Sequence, residues 1–134
     1  MDESIIAFLR SQRVLSLAVC AGEVYAASCF YAFEEERFLL VFASDPKTKH
    51  MQLGFHNPQV AGTIYDPDVR VERIRGVQFQ GVLREAGQKG KECYFQKFPF
   101  AAALKPSLWE VELEWVKMTD NRLGFGKKIS WSRQ

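Results

Sequence analysis

Apolar residues fall in short runs separated by polar turns, and most of these runs read as strands. The first is the exception. Ile5, Ile6, Phe8 and Leu9 behind Asp2-Glu3-Ser4 predict a capped amphipathic helix that ends in Arg10-Ser11-Gln12-Arg13. Residues 14–20 and 24–33 then read as two strands joined across Ala21-Gly22-Glu23, a three-residue hairpin. After the charged turn Glu34-Glu35-Glu36-Arg37, residues 38–43 form an unbroken apolar run, the pattern of a strand buried on both faces. Three strands joined by such short loops predict an antiparallel barrel or sandwich, since parallel strands need long crossovers.

The stretch 38–65 organises the rest. Ser44 or Asp45 is placed as an N-cap and Pro46 suits the first helical position, so a helix of about ten residues is expected up to Asn57-Pro58, with a strand following to Tyr65. Its first turn carries Lys47, Thr48, Lys49 and His50. Unpaired backbone N–H groups, the positive end of the helix dipole and two lysines would then point at one place, the recipe for a phosphate site. A solvated basic turn has the same composition.

Asp66-Pro67-Asp68 reads as a turn and residues 69–83 as a long strand, with Val69, Val71, Arg73, Arg75, Val77, Phe79, Gly81 and Leu83 on one face. Two arginines on an apolar face imply an anionic partner, because a buried guanidinium is costly unless paired. The alternative is a β-bulge near Arg73-Ile74 that turns Ile74 inward and the arginines outward. A loop over 85–90 and a short helix over 91–98, stopped by Pro99, come next, with Phe95, Phe98 and Phe100 expected in packing. Trp109, Val111, Leu113 and Trp115 alternate with Glu110, Glu112 and Glu114, predicting a half-buried strand with a solvated acidic face. With no His or Asp beside them, the glutamates do not make a metal site. Thr119-Asp120-Asn121 is a turn. The Gly-x-Gly of Gly124-Phe125-Gly126 precedes a strand at 129–131 and not a helix, which excludes a dinucleotide fingerprint.

Composition narrows the class. The chain has 134 residues, enough for one globular domain over 1–134, with 47% hydrophobic and 25% charged residues. A net charge of +2 is too small to argue for nucleic acid. Cys20, Cys29 and Cys93 are odd in number and lack metal-ligand spacing, which predicts reduced, mostly buried thiols. The start is acidic where a signal peptide is basic, and no apolar run approaches a membrane span, so a soluble cytoplasmic protein is expected. His50 and His56 are the only histidines, and no Gly-x-Ser-x-Gly accompanies them, which leaves a hydrolase unsupported.

The order of elements, with Lys47-Thr48-Lys49, Asn57-Pro58 and Ile74-Arg75-Gly76-Val77-Gln78-Phe79, resembles the FMN-binding split-barrel superfamily, of which pyridoxamine 5′-phosphate oxidase is the best-known member. Phe98-Pro99 with Ala102, then Trp109-Glu110, and finally Thr119-Asp120-Asn121-x-Leu123-Gly124-Phe125-Gly126-Lys127-Lys128 ahead of Trp131 resemble the small YhbP-like bacterial family within it. The resemblance spans nearly the whole chain. It implies a mainly β fold, an antiparallel Greek-key split β-barrel with two or three flanking short helices, acting as a homodimer that binds FMN. By that resemblance Lys49 binds the flavin phosphate, with Thr48 beside it; together with Lys47 and the helix N-terminus, this puts the phosphate at the turn from Ser44 to Lys49. Phe42, Ala43 and Ser44 pass along the flavin, and Arg75 and Gln78 lie near it. Phe125, Gly126 and Trp131 flank a cleft that the second subunit closes. Gly76 stands where the oxidases carry a glutamine, and their C-terminal Arg-Leu-His-Asp-Arg segment is missing. The implied function is therefore a flavin-binding protein, or an oxidoreductase of unidentified substrate with no catalytic residue assigned, and not pyridoxamine-phosphate oxidation. Two alternatives stand beside it: a non-enzymatic module holding another anionic ligand at the basic turn and Arg73/Arg75, and a barrel face for single-stranded nucleic acid.

Overall fold

Local signals at the N-terminus produce the helix that closes one end of the molecule. The computed structural model describes residues 1–134 except Val69. Helix α1 spans Glu3–Ser11, capped by Asp2, whose carboxylate accepts from the Ser4 N–H at 2.8 Å. Its apolar face buries Ile5, Phe8 and Leu9. Strands β1 (Val14–Cys20) and β2 (Val24–Glu34) form the expected hairpin, Cys20 opposite Val24, around Gly22 at φ +82°. That left-handed value suits glycine.

The remaining elements are β3 (Leu39–Ala43), α2 (Lys49–His56), β4 (Gln59–Tyr65), β5 (Arg75–Glu85), α3 (Gln88–Lys97), β6 (Leu108–Asp120) and β7 (Lys128–Ser132). The sheet runs β3-β2-β1-β4-β5-β6-β7, and β3 also pairs with β6, so six antiparallel strands close into a barrel with β7 as an extra strand. The interior is filled by fully buried side chains including Leu15, Leu17, Tyr31, Phe42, Phe79 and Val111. A second cluster, with Leu39, Val41, Tyr94 and Leu108, lies under α3. Strand β3 is apolar at every position because Leu40 and Phe42 join the first cluster while Leu39 and Val41 join the second.

The structure corrects several sequence expectations. Helix α2 begins at Lys49 with Thr48 as N-cap, and not at Pro46; residues 45–48 make a turn in which Thr48 N–H donates to the Asp45 carbonyl at 3.1 Å. The long strand begins at Arg75, because Val71–Arg73 is a 3-10 turn; Val69 lies outside the described residues. Helix α3 starts at Gln88, inside the stretch read as a loop. Phe100 is 92% exposed and packs in neither cluster, and Cys20 is exposed. Cys29 is buried, which pushes its thiol up to about 11. Glu110 is only 2% exposed, so the acidic face of β6 is not uniformly solvated. It holds Arg84 at 2.8 Å and accepts from the Gly87 N–H. The register of β5 against β6 slips between Gln80 and Gly81, which leaves Glu114 as the extra residue and moves the inward face of β6 from Leu113 to Val116.

Candidate functional site

Strand β3 meets β2 only through Tyr31 to Glu34. Past Ala43 the chain leaves the ladder, turns at 45–48 and returns as α2. Its first residue, Lys49, forms an ion pair with Glu23 and lies 5.0 Å over the Tyr25 ring. The turn and the first helical residues therefore stand beside the half of β2 that β3 leaves unpaired.

Ser44 is fixed on both sides of its Cα. Its N–H donates to the Ser107 carbonyl at 3.1 Å, and its carbonyl accepts from the Trp109 indole at 2.9 Å. Its Oγ lies 2.7 Å from Nε2 of His50, whose ring is also 3.4 Å from Thr48 Oγ1. The Thr48 hydroxyl proton is already given to the Asp45 carbonyl at 2.9 Å. Burial lowers the His50 pKa, so the imidazole is held neutral at pH 7. On the far side of Ser44 is an open cavity of about 410 Å³ bounded by Asp45, Pro46, Lys105, Pro106 and Ser107. The turn thus gathers two hydroxyls, one imidazole, two lysines and the first N–H groups of a helix, with Asp45 as the local carboxylate. Such a donor set can hold a phosphate or another small anion. His50 is the member that the sequence did not single out. Its signal was there: a histidine at the second helical position, six residues after the serine that follows a strand.

The other expected residues fall in two further places. Phe42 is fully buried, so it offers a ligand only backbone; Ala43 is partly buried and Lys47 exposed. Arg75 lies on the inward-facing register of β5, stacked 5.1 Å over Phe8, with Nε 2.7 Å from Asp66 Oδ2. Its anionic partner is thus within the chain. The Arg75 guanidinium also holds the Asp66 carboxyl low, after the larger effect of the Asp68 N–H. Arg73 is instead in the 3-10 turn, 3.4 Å from Asp68, while Ile74 stays 39% exposed, so the bulge that turns Ile74 inward does not form. Gln78 points outward between Thr63 and Lys117. Phe125 is 83% exposed, and Gly126 N–H donates to Asn121 Oδ1 at 2.9 Å. Trp131 packs edge-on against Phe38 at 5.1 Å. Phe38 precedes β3 and Ser44 follows it, so one chain does not bring Trp131 to the Ser44–Lys49 turn. Among the described residues no group of three or more His, Cys, Asp or Glu is arranged to hold a metal ion. Among the described residues no helix is long and apolar enough to cross a membrane.

No family model matches the sequence. Among solved structures, a heme binding protein from Mycobacterium smegmatis superposes with a TM-score of 0.75 at 18% identity, over 91% of this chain and 53% of that one. A FAD-binding protein from Mesorhizobium loti gives 0.71 at 16% identity, over 88% and 94%. HutZ of Vibrio cholerae, a heme storage protein, gives 0.63 at 16% identity, over 84% and 89%. At these identities the likeness establishes the split-barrel fold. Sequence relatives are much nearer. The UPF0306 protein of Photorhabdus laumondii is 41% identical over 94% of this chain and 92% of its own length. That of Yersinia pestis is 40% identical over 94% and 89%. On this identity, sustained over nearly the whole length of both chains, the protein belongs to the UPF0306 family.

Proposed function

We propose that this protein is a flavin-binding split-barrel protein that takes FMN, with the phosphate at the Ser44–Lys49 turn, and works as a homodimer. The observation that carries the reading is the Ser44–His50 pair, set with Thr48, Lys47 and Lys49 beside the half of β2 that β3 does not pair. The phosphate oxygens would accept from the Ser44 hydroxyl and from the helix N–H groups, with the Thr48 hydroxyl held beside them by the Asp45 carbonyl. Lys49 would exchange its bond to Glu23 for one to the phosphate. The backbone of Phe42 and Ala43 would border the flavin, and Phe125, Gly126 and Trp131 would reach it only from a second copy. FMN, when bound, supplies reversible hydride or electron transfer, and the chain supplies the anchor and the ring environment. An oxidoreductase acting on a small molecule is the activity that follows.

Names of structural neighbours include heme as well as flavin. The donor set here favours flavin: the Ser44 hydroxyl, the helix N–H groups and two lysines suit a phosphate, and His50 has its Nε2 engaged by Ser44. The test is a titration of the folded protein with FMN followed by flavin fluorescence, run beside a heme titration followed by absorbance. Saturable FMN binding is expected, weaker for riboflavin because it lacks the phosphate. Absence of saturable FMN binding overturns the reading.

A further inference from the structure

A cavity of about 680 Å³ lies on the outer face of β2, β1 and β4, and Arg75 is the only residue it shares with the cofactor reading. Its floor is a polar row. Ser16 stands directly opposite Ser28 on one neighbouring strand and Thr63 on the other. Directly opposed side chains on one face sit about 4.5–5.5 Å apart, so three hydroxyls line up across three strands. Val14, Tyr65 and Pro67 provide an apolar rim.

Three charged residues line the cavity: Arg13, Arg75 and Asp66. Arg75 and Asp66 neutralise one another at 2.7 Å. Arg13 has no such partner: among the described residues no carboxylate lies within ion-pair distance of it. It is nevertheless held in place, its guanidinium 5.0 Å over the Phe98 ring, which is packed in turn on Phe30 and Tyr94. A second cation, Lys97, sits 5.8 Å from the centre of the same ring and bonds only carbonyls of Arg10 and Gln12. The Lys97 pKa is lowered chiefly by its own burial and further by the Arg13 charge, so the two cations feel each other with no anion between them. Lys97 lines a separate cleft with Arg10 and Cys93, so Arg13 is the cation that faces this hydroxyl-lined cavity without an ion-pair partner among the described residues, and an anion from outside the chain would supply one.

We propose that this cavity is a binding site for a small hydroxylated carboxylic acid, its carboxylate on Arg13 and its hydroxyl groups over the Ser28–Ser16–Thr63 row. The volume lies within the range of small-molecule sites, and the mix of one charged anchor, a few hydroxyls and an apolar rim matches their usual composition. The planar guanidinium fits a carboxylate with two parallel hydrogen bonds, which an ammonium does not. The site needs no flavin, so it stands or falls apart from the function proposed above.

The experiment is a ¹H–¹⁵N NMR titration of the full chain with 4-hydroxybenzoate, and with 4-hydroxybenzamide as its uncharged counterpart. Saturable shifts are expected at residues 13–16, 28 and 63 with the acid, and at least about tenfold weaker binding of the amide. Arg13→Met keeps an apolar stem on Phe98 and removes the charge; it should weaken the acid about tenfold and leave the amide unchanged. Ser16→Ala should weaken both, with an unaltered melting curve as the control for folding. Equal affinity for acid and amide, shifts confined to other surfaces, or no shift up to roughly 20 mM of either compound would overturn the proposal.

Discussion

Ser44 and His50 hold each other across the entrance to α2, with Oγ and Nε2 2.7 Å apart. The serine follows the strand that carries the barrel's densest apolar run, and the histidine is the second residue of α2. Burial penalises the imidazolium, so the folded pKa lies below the unfolded value of about 6.5. With a depressed pKa, the stabilisation is present above the unfolded value and is lost as pH falls through the folded one. Unfolding free energy should therefore drop as pH falls below about 6.5, and the drop should be shallower in His50→Gln. The difference in slope cannot exceed about 1.4 kcal/mol per pH unit for one proton. Denaturant melts across that range check it, and identical slopes would show that His50 is not held neutral by the fold.

Lys49 enters the proposed phosphate site already engaged by Glu23. Lys49→Ala should weaken FMN by about 1.5–3 kcal/mol, or roughly ten- to over a hundredfold. Glu23→Gln removes the competitor and should tighten FMN several-fold. Lys89→Ala, at a solvent-exposed pair with Glu36, should change little. Similar losses from Lys49→Ala and Lys89→Ala in a fluorescence titration would mean that the lysines act only as diffuse surface charge.

Two glycines give a sharp contrast in stability. A Cβ at Gly62 would come 2.2 Å from the Ser16 carbonyl oxygen and 2.4 Å from the Phe79 ring, both in the closed sheet. Backbone cannot yield as a side chain can, so Gly62→Ala should cost about 1–3 kcal/mol or more. Gly87→Ala meets nothing within 4 Å at a φ of −82°, and should stay within about 0.5 kcal/mol of the parent. Urea melts of the two variants give the comparison, and a neutral Gly62→Ala would mean that β1 and β4 separate more easily than their register implies.

Much of the fold was legible because it is written in local alternation. The hairpin around Gly22 and the apolar β3 each follow from neighbours in sequence, whereas the Trp109–Trp115 alternation holds only as far as Leu113, because the extra residue Glu114 shifts the inward face to Val116. What escaped depended on distant partners. The burial of Glu110 requires Arg84 from β5, 26 positions away, and an alternation count sees only a polar residue between apolar ones. The start of α2 slipped to Lys49 because Asp45 used its side chain on the Lys47 N–H and its carbonyl on Thr48, making a turn where a cap was expected. Arg75 could not be separated from Arg73 by pattern alone; Asp66, across the turn, decides that one is drawn in and the other left on the rim. At the site, the lysines were visible as charge. His50 was not, since its role arises from burial and from Ser44.

The C-terminal residues carry the last prediction, and the structure divides them. Trp131 is packed on Phe38 within its own chain, so Trp131→Ala should cost about 1–3 kcal/mol of stability through lost packing, whatever the assembly does. It is therefore a poor probe of dimerisation. Phe125 is the better one. At 83% exposure, next to Leu123 at 55%, it contributes almost nothing to its own chain's core, so Phe125→Ser should leave the melting transition within about 0.5 kcal/mol. If a second copy covers this segment, an exposed aromatic of that size is the kind of anchor that dominates an interface, and its loss should weaken association by about tenfold or more. Sedimentation at low micromolar concentration then separates the cases. A dimer that dissociates in Phe125→Ser, together with weaker FMN retention, supports a cofactor cleft completed by the partner. A 15.4 kDa monomer that binds FMN tightly would show that the turn at Ser44–Lys49 needs no second copy.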